Sequence, residues 1–240
     1  MESNETSNFE SNATALRLST PNSVYSHDIP EPTSSSRLFH VYYNTCRRNL
    51  TITAEDKAPV FFVKNRSLIS GKNDVIFYAG QHESDPTVAV CKFRTFSADS
   101  KVGLGDPDEP NRMVWEDMTK ETWNNSKYRW EMTIYPSTTD KMTVTSHGER
   151  KGFVWKRTHN VGIGDSMPRW LSARNFKLED ESTREIIAVY SDNGARSVNK
   201  CGKFQIDVDY GKDFDTMVLI TGLALLEKER RRRQSGGKSG

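Results

Sequence analysis

The residues best suited to binding chemistry are cations in three groupings. Lys92 and Arg94 in "VCKFRTF" stand two apart, which puts both on one face of an extended strand. Lys156 and Arg157 in "VWKRTH" are consecutive and cannot share a face of a regular strand. The third grouping is the run "KERRRR", with Lys228 and Arg230, Arg231, Arg232 and Arg233. Such a run serves as a nuclear import signal, a phospholipid contact or a solvated helix end. Near an anionic membrane each cation contributes about 1 kcal/mol.

Signatures of other chemistry are missing. The histidines, at 27, 40, 82, 147 and 159, show no paired ligand spacing, and no CxxC occurs among Cys46, Cys91 and Cys201, so no metal and no cofactor is indicated. The cysteines read as small buried apolar residues. "VGLGDP" and "VGIGDS" each contain Gly-x-Gly without the third glycine and helix that a dinucleotide site needs, and read as turns. "GDPDEPN" clusters three acids without the spacing of a calcium loop. No nucleophile elbow or P-loop is present, and no catalytic residues are assigned: the chain reads as a non-enzyme.

Charge is unevenly spread. Residues 1–36 carry five acids against Arg17 alone, and are rich in Ser, Thr, Asn and Pro. Such a segment cannot bury enough apolar surface to offset its ordering entropy, so a disordered tail is expected there. Residues 227–240 carry six bases against two acids. The intervening body is near neutral, which gives no strong nucleic-acid signal. The N-terminus has neither the basic start nor the apolar core of a secretory signal, pointing to an intracellular protein, cytoplasmic or membrane-peripheral, with the nucleus open.

These cations need elements to carry them, and the chain between the tails offers strands. "LFHVYY" (38–43), "NLTIT" (49–53), "PVFFVK" (59–64), "DVIFYAG" (74–80), "TVAVCKFRTF" (87–96) and "NRMVWEDM" (111–118) are rich in β-branched and aromatic residues, and turn residues bound them. "KYRWEMTIY" (127–135), "KMTVTS" (141–146), "GFVWKRTH" (152–159), "RNFKLED" (174–180), "EIIAVYSD" (185–192) and "GKFQIDVDY" (202–210) continue the series. Met132 and Ile134 alternate with Glu131 and Thr133, as Phe204, Ile206 and Val208 do with Gln205, Asp207 and Asp209, the mark of an antiparallel sheet with one buried face. About twelve strands in some 170 residues leave no room for crossover helices. "FFVK", "DVIFYAG" and "TVAV" are faintly echoed by "FVWK", "NFKLED" and "IIAVY", the pattern of a duplicated half-barrel. The five tryptophans read as core or barrel-rim packing.

"FDTMVLITGLALLEKERRRR" (214–233) is the loudest signal. Its uncharged stretch spans at most thirteen residues, about 20 Å of helix, against about 30 Å of hydrocarbon. It cannot cross a membrane. Its apolar residues occupy every side of a helical wheel, so it has no polar stripe with which to lie on one. A helix apolar all round belongs in a core, and only strands are available to wall it in. The expectation is a mainly β protein: a closed antiparallel barrel of about twelve strands around a central hydrophobic C-terminal α-helix. Asp213, Asp215 and Thr216 mark its start, Gly222 a close approach to the wall, and "EKERRRR" an exit to solvent. The barrel domain covers 37–233 with the helix at about 214–229, and 234–240 form a flexible tail.

In "VAVCKF" (88–93), residues 101–133, "FVWKRTH", "RNFKLED" and residues 208–228, the chain resembles the tubby C-terminal-like superfamily, which also holds LURP-one-related proteins and phospholipid scramblases, and within it uncharacterised fungal tubby-like proteins. The resemblance implies a barrel around a central helix. It also implies phosphoinositide head-group binding through a Lys-x-Arg pair on a strand, here Lys92 and Arg94, with Lys156 and Arg157 as further head-group candidates. The resulting expectation is a non-catalytic module docking on phosphoinositide or other anionic phospholipid. The alternatives are a nuclear or cytoplasmic protein-interaction factor and, behind it, a scramblase-like activity.

Overall fold

The structure is a computed structural model, and it describes residues 36–44, 48–66, 72–95, 97–124, 126–135, 147–163, 174–193 and 199–236. Strands β1 (Arg37–Tyr43), β2 (Leu50–Ala54), β3 (Pro59–Asn65), β4 (Val75–Tyr78), β5 (Thr87–Phe93) and β6 (Ser100–Leu104) come first. They are followed by β7 (Val114–Lys120), β8 (Lys127–Ile134), β9 (Glu149–Arg157), β10 (Phe176–Asp180), β11 (Ile186–Asp192) and β12 (Lys200–Ile206), and then by helix α1 (Lys212–Gly236). Each strand pairs antiparallel with its sequence neighbours, and β1 pairs with β12, closing a twelve-stranded barrel. Closure removes the sheet edges that would otherwise template aggregation.

Alternation places the wall. In β8, Tyr128, Trp130, Met132 and Ile134 are buried, while Arg129, Glu131 and Thr133 remain partly exposed. The outer residues form an ion ladder: Arg129 reaches Glu181 at 2.7 Å and also Glu131, and Arg150 reaches Glu131 at 3.2 Å and also Glu116. β12 is less regular than its pattern suggested. The strand stops at Ile206, before Val208, and Gln205 is itself buried, donating to Asp207 at 2.8 Å.

The helix is a plug. Met217, Val218, Leu219, Ile220, Leu223, Ala224 and Leu225 are each no more than 2% exposed. Burying such side chains contributes about 1.5–3 kcal/mol each, as a gross figure. Thr221, a polar residue in this greasy stretch, accepts from the Trp155 indole at 2.9 Å and donates to the Met217 carbonyl, so it is buried without an unmet hydrogen bond. At Gly222 a Cβ would lie 2.6 Å from the Phe204 ring, so the close approach expected there is present. Phe214 packs against Phe153 and Tyr210 with ring centroids 5.1 Å apart in each pair.

Several expectations need correction. The helix runs from Lys212 to Gly236, not 214–229, so residues 234–236 belong to it rather than to a tail. Its basic run does not simply emerge into solvent, because Glu227 and Glu229 are buried. Asp213 and Asp215 do lie at the helix start, in its first turn, and Arg37 takes the Asp215 carboxylate at 2.7 and 2.8 Å. "VGLGDP" is not wholly a turn: Val102, Gly103 and Leu104 lie in β6, and the turn starts at Gly105, whose φ of 111° suits glycine. Ser36, grouped with the tail, donates to Asp207 at 2.8 Å. The strand expected at 141–146, the remainder of the N-terminal tail and residues 237–240 lie outside the described residues. The echoed segments occupy β3–β5 and β9–β11, six strands apart in the ring.

One seam of the barrel is narrow. The β7–β8 register pairs are Thr119↔Arg129 and Lys120↔Tyr128, whereas β8 and β9 stay in register from Lys127↔Lys156 to Ile134↔Glu149. Below that short zip the two strands part.

Candidate basic face and helix C-terminal end

Up-and-down connectivity sorts the loops by end. Lys228 donates to the Ala98 carbonyl in the β5–β6 turn, so the helix C-terminus shares an end with that turn and with the β1–β2, β3–β4, β7–β8, β9–β10 and β11–β12 connections. Described residues at this end include Arg48, Arg66, Lys72, Arg94 and Arg174. The opposite loops carry Glu55, Asp56, Glu83, Asp106, Asp108 and Glu109. Asp74, Asp99 and Glu121 offset part of the first charge, and Lys57, Arg112 and Arg184 part of the second, but among the described residues the two ends keep opposite sign.

Lys92 and Arg94 are both exposed, Lys92 on β5 and Arg94 just beyond its end. Register places Lys92 opposite Lys101 of β6, and Lys101 opposite Asp117 of β7. Arg94 meets Asp117 at 2.8 Å, both side chains being about half exposed. Among the described residues, Lys92 and Lys101 have no carboxylate partner. Two like charges directly opposite destabilise a sheet, so their juxtaposition is better suited to an anion than to folding.

The second pair is divided between two environments. Lys156 faces outward and pairs with Glu179, which Lys177 also meets at 2.9 Å. Burial raises the Glu179 carboxyl, but hydrogen bonds from Lys156 and Lys177 outweigh it and hold the group below its ordinary range. Arg157 turns inward, pairs with Glu229 and lies 5.6 Å from the Phe176 ring centroid. The separation expected from consecutive positions is present, and both cations already have carboxylate partners.

The terminal run is divided too. Lys228 lies over the rings of Phe93 and Tyr128, 5.2 and 5.3 Å from their centroids, and burial lowers its ammonium to about 8. Arg230 forks onto Glu227 at 2.6 and 2.7 Å. Arg231 joins Asp74 at 2.6 Å and Glu227 at 2.7 Å, and donates to the Arg66 carbonyl. Arg232 and Arg233 reach Glu229 at 3.2 and 3.8 Å and stay about half exposed. Lys228 and Arg231 therefore anchor the helix to the wall, Arg230 pairs within the helix, and Arg232 and Arg233 face solvent.

Two residues of this face escaped the sequence reading. Lys101 immediately precedes "VGLGDP", which reads as a turn, and falls in no expected strand. Trp123, read as packing, is 98% exposed in the β7–β8 loop at the basic end. Trp115, 42% exposed, lies on β7 two residues from Asp117. Trp130 and Trp155 are core residues.

Burial pushes Cys91 up to about 12 and raises Cys201, whose sulfur sits 3.4 Å from the Tyr190 hydroxyl, while His159 is exposed. Among the described residues no helix is long and apolar enough to cross a membrane.

No protein-family model matches the chain, and no curated protein does. Among solved structures, the chain is similar to the X-ray structure of an Arabidopsis thaliana protein, AT5G01750, at 13% identity and a TM-score of 0.44, over 83% of this chain and 94% of that one.

Proposed function

We propose that this protein is a non-catalytic binding module of tubby-like type, which docks its basic end on anionic phospholipid. The observation that carries the reading is the cross-strand pair Lys92 and Lys101, exposed and without carboxylate partners among the described residues, on the end that also presents Arg232, Arg233 and the solvated Trp123. Cations attract the anionic head groups, and an indole suits the membrane–water boundary. The acidic opposite end would orient the barrel, keeping that end away from the bilayer. The protein then acts as an intracellular, membrane-peripheral module.

Vesicle sedimentation tests this. Binding is expected to phosphatidylcholine vesicles doped with phosphatidylserine or a phosphoinositide, to fall with added salt, and to be absent with phosphatidylcholine alone. Lys92→Gln with Lys101→Gln should weaken it by on the order of thirtyfold, from about 1 kcal/mol per cation, and the double Lys→Glu reversal by more. Equal, negligible pelleting with both vesicle types ends the proposal. Nuclear accumulation of a fluorescent fusion, lost on deleting 228–233, would favour the protein-interaction reading instead.

A further inference from the structure

At the acidic end, where β7 and β8 part below Thr119↔Arg129, the seam opens into a chamber of about 570 Å³. This is within the roughly 300–1,000 Å³ of small-molecule sites. Phe61, Val88, Leu104, Val114, Met132 and Tyr135 supply its apolar lining, and the first turns of α1 form one side. Phe61, Val88 and Leu104 adjoin the core yet remain only partly buried, because the chamber lies beside them. Val114 is 57% and Tyr135 65% exposed at its mouth.

Charge narrows the occupant. Glu116 is taken by Arg150, and Arg112 by Glu109 at 2.9 Å. Lys212 and Asp213, the remaining ionic residues of the lining, are of opposite sign and adjacent in sequence. The surrounding loops are acidic, which disfavours an anion, and the helix N-terminus disfavours a cation. Hydroxyls of Thr87 and Thr133, which have no hydrogen-bond partner among the described residues, are available to a polar group.

We propose that this chamber binds an uncharged small molecule with a mainly apolar body and one or two hydrogen-bonding groups. The site is separate from the basic face. Titration of the full chain with N-phenyl-1-naphthylamine, a neutral dye that brightens in apolar surroundings, should give saturable one-to-one fluorescence. Its sulfonated relative 8-anilinonaphthalene-1-sulfonate should bind at least tenfold more weakly. Leu104→Trp fills the chamber and Val114→Trp obstructs the exposed mouth without touching the core. Each should weaken dye binding at least tenfold, thermal melting confirming that the variants fold, while Trp123→Ser leaves it unchanged. Failure of the neutral dye to saturate, stronger binding of the sulfonate, or dye binding indifferent to the folded Val114→Trp variant would overturn the proposal. Loss of vesicle binding alone would leave it standing.

Discussion

At the C-terminal end of α1, Glu227 collects Arg230 and Arg231, while Glu229 collects Arg157, Arg232 and Arg233, binding the helix to itself and to the wall. Arg231 extends the network to Asp74 in the β3–β4 connection. At the N-terminal end Arg37 holds Asp215, and beside it the β7–β8 seam stands open over an apolar chamber. One helix thus passes from an ion-paired anchorage to a loosely walled mouth. Buried ion pairs are poor sources of net stability but costly to break singly, so the anchored end fixes where the helix sits. The open end has room left for a guest.

The largest effect should come from breaking what both ends share. Leu219→Glu puts an unpaired charge in a fully enclosed position and should leave the protein insoluble; a soluble variant with a cooperative melt would contradict the enclosed plug. Next comes an asymmetry between the ends. Glu227→Ala leaves the part-exposed Arg230 without its carboxylate and Arg231 with Asp74 alone, and should cost about 2–3 kcal/mol in denaturant unfolding, whereas the exposed Asp213→Ala should cost under about 1 kcal/mol. Equal costs would erase the distinction.

A pH dependence at the anchored end is no larger than the Glu227→Ala cost. The folded protein releases the Lys228 proton near pH 8, while the unfolded chain keeps it to about 10.5. The unfolded state therefore binds more protons between these values, and stability attributable to Lys228 rises with pH across that window. Tyr43, Tyr128, Tyr190 and Cys91 are all raised by burial and pull the other way. The quantity to read is thus wild type minus Lys228→Met, which should climb by on the order of 2–3 kcal/mol from pH 8 to 10.5. A flat difference would mean that Lys228 is solvated.

The barrel and its plug were legible because they rest on local pattern. Alternation in β8 and an apolar surface on every side of 217–225 are properties of adjacent residues, and burial follows from them. β6 was missed because Gly103 and Gly105 punctuate it like a turn, although Gly103 sits in the ladder opposite Val90 and Trp115. The helix end was misjudged because "EKERRRR" is solvent-like by composition. Its burial depends on Asp74 and Arg157, far away in sequence and brought close only by ring closure. The candidate face was half legible for the same reason: the Lys-x-Arg spacing identified one strand, and Lys101 joined it through register.

Everything at both ends presupposes that α1 is enclosed, and amide hydrogen exchange tests this most directly. Amides of Met217–Leu225 should exchange no faster than those of Phe153–Trp155 in β9, at the rate set by global unfolding. Exchange of the helix about a hundredfold faster than β9, with β9 still protected, would show a helix that leaves its barrel and would contradict the account.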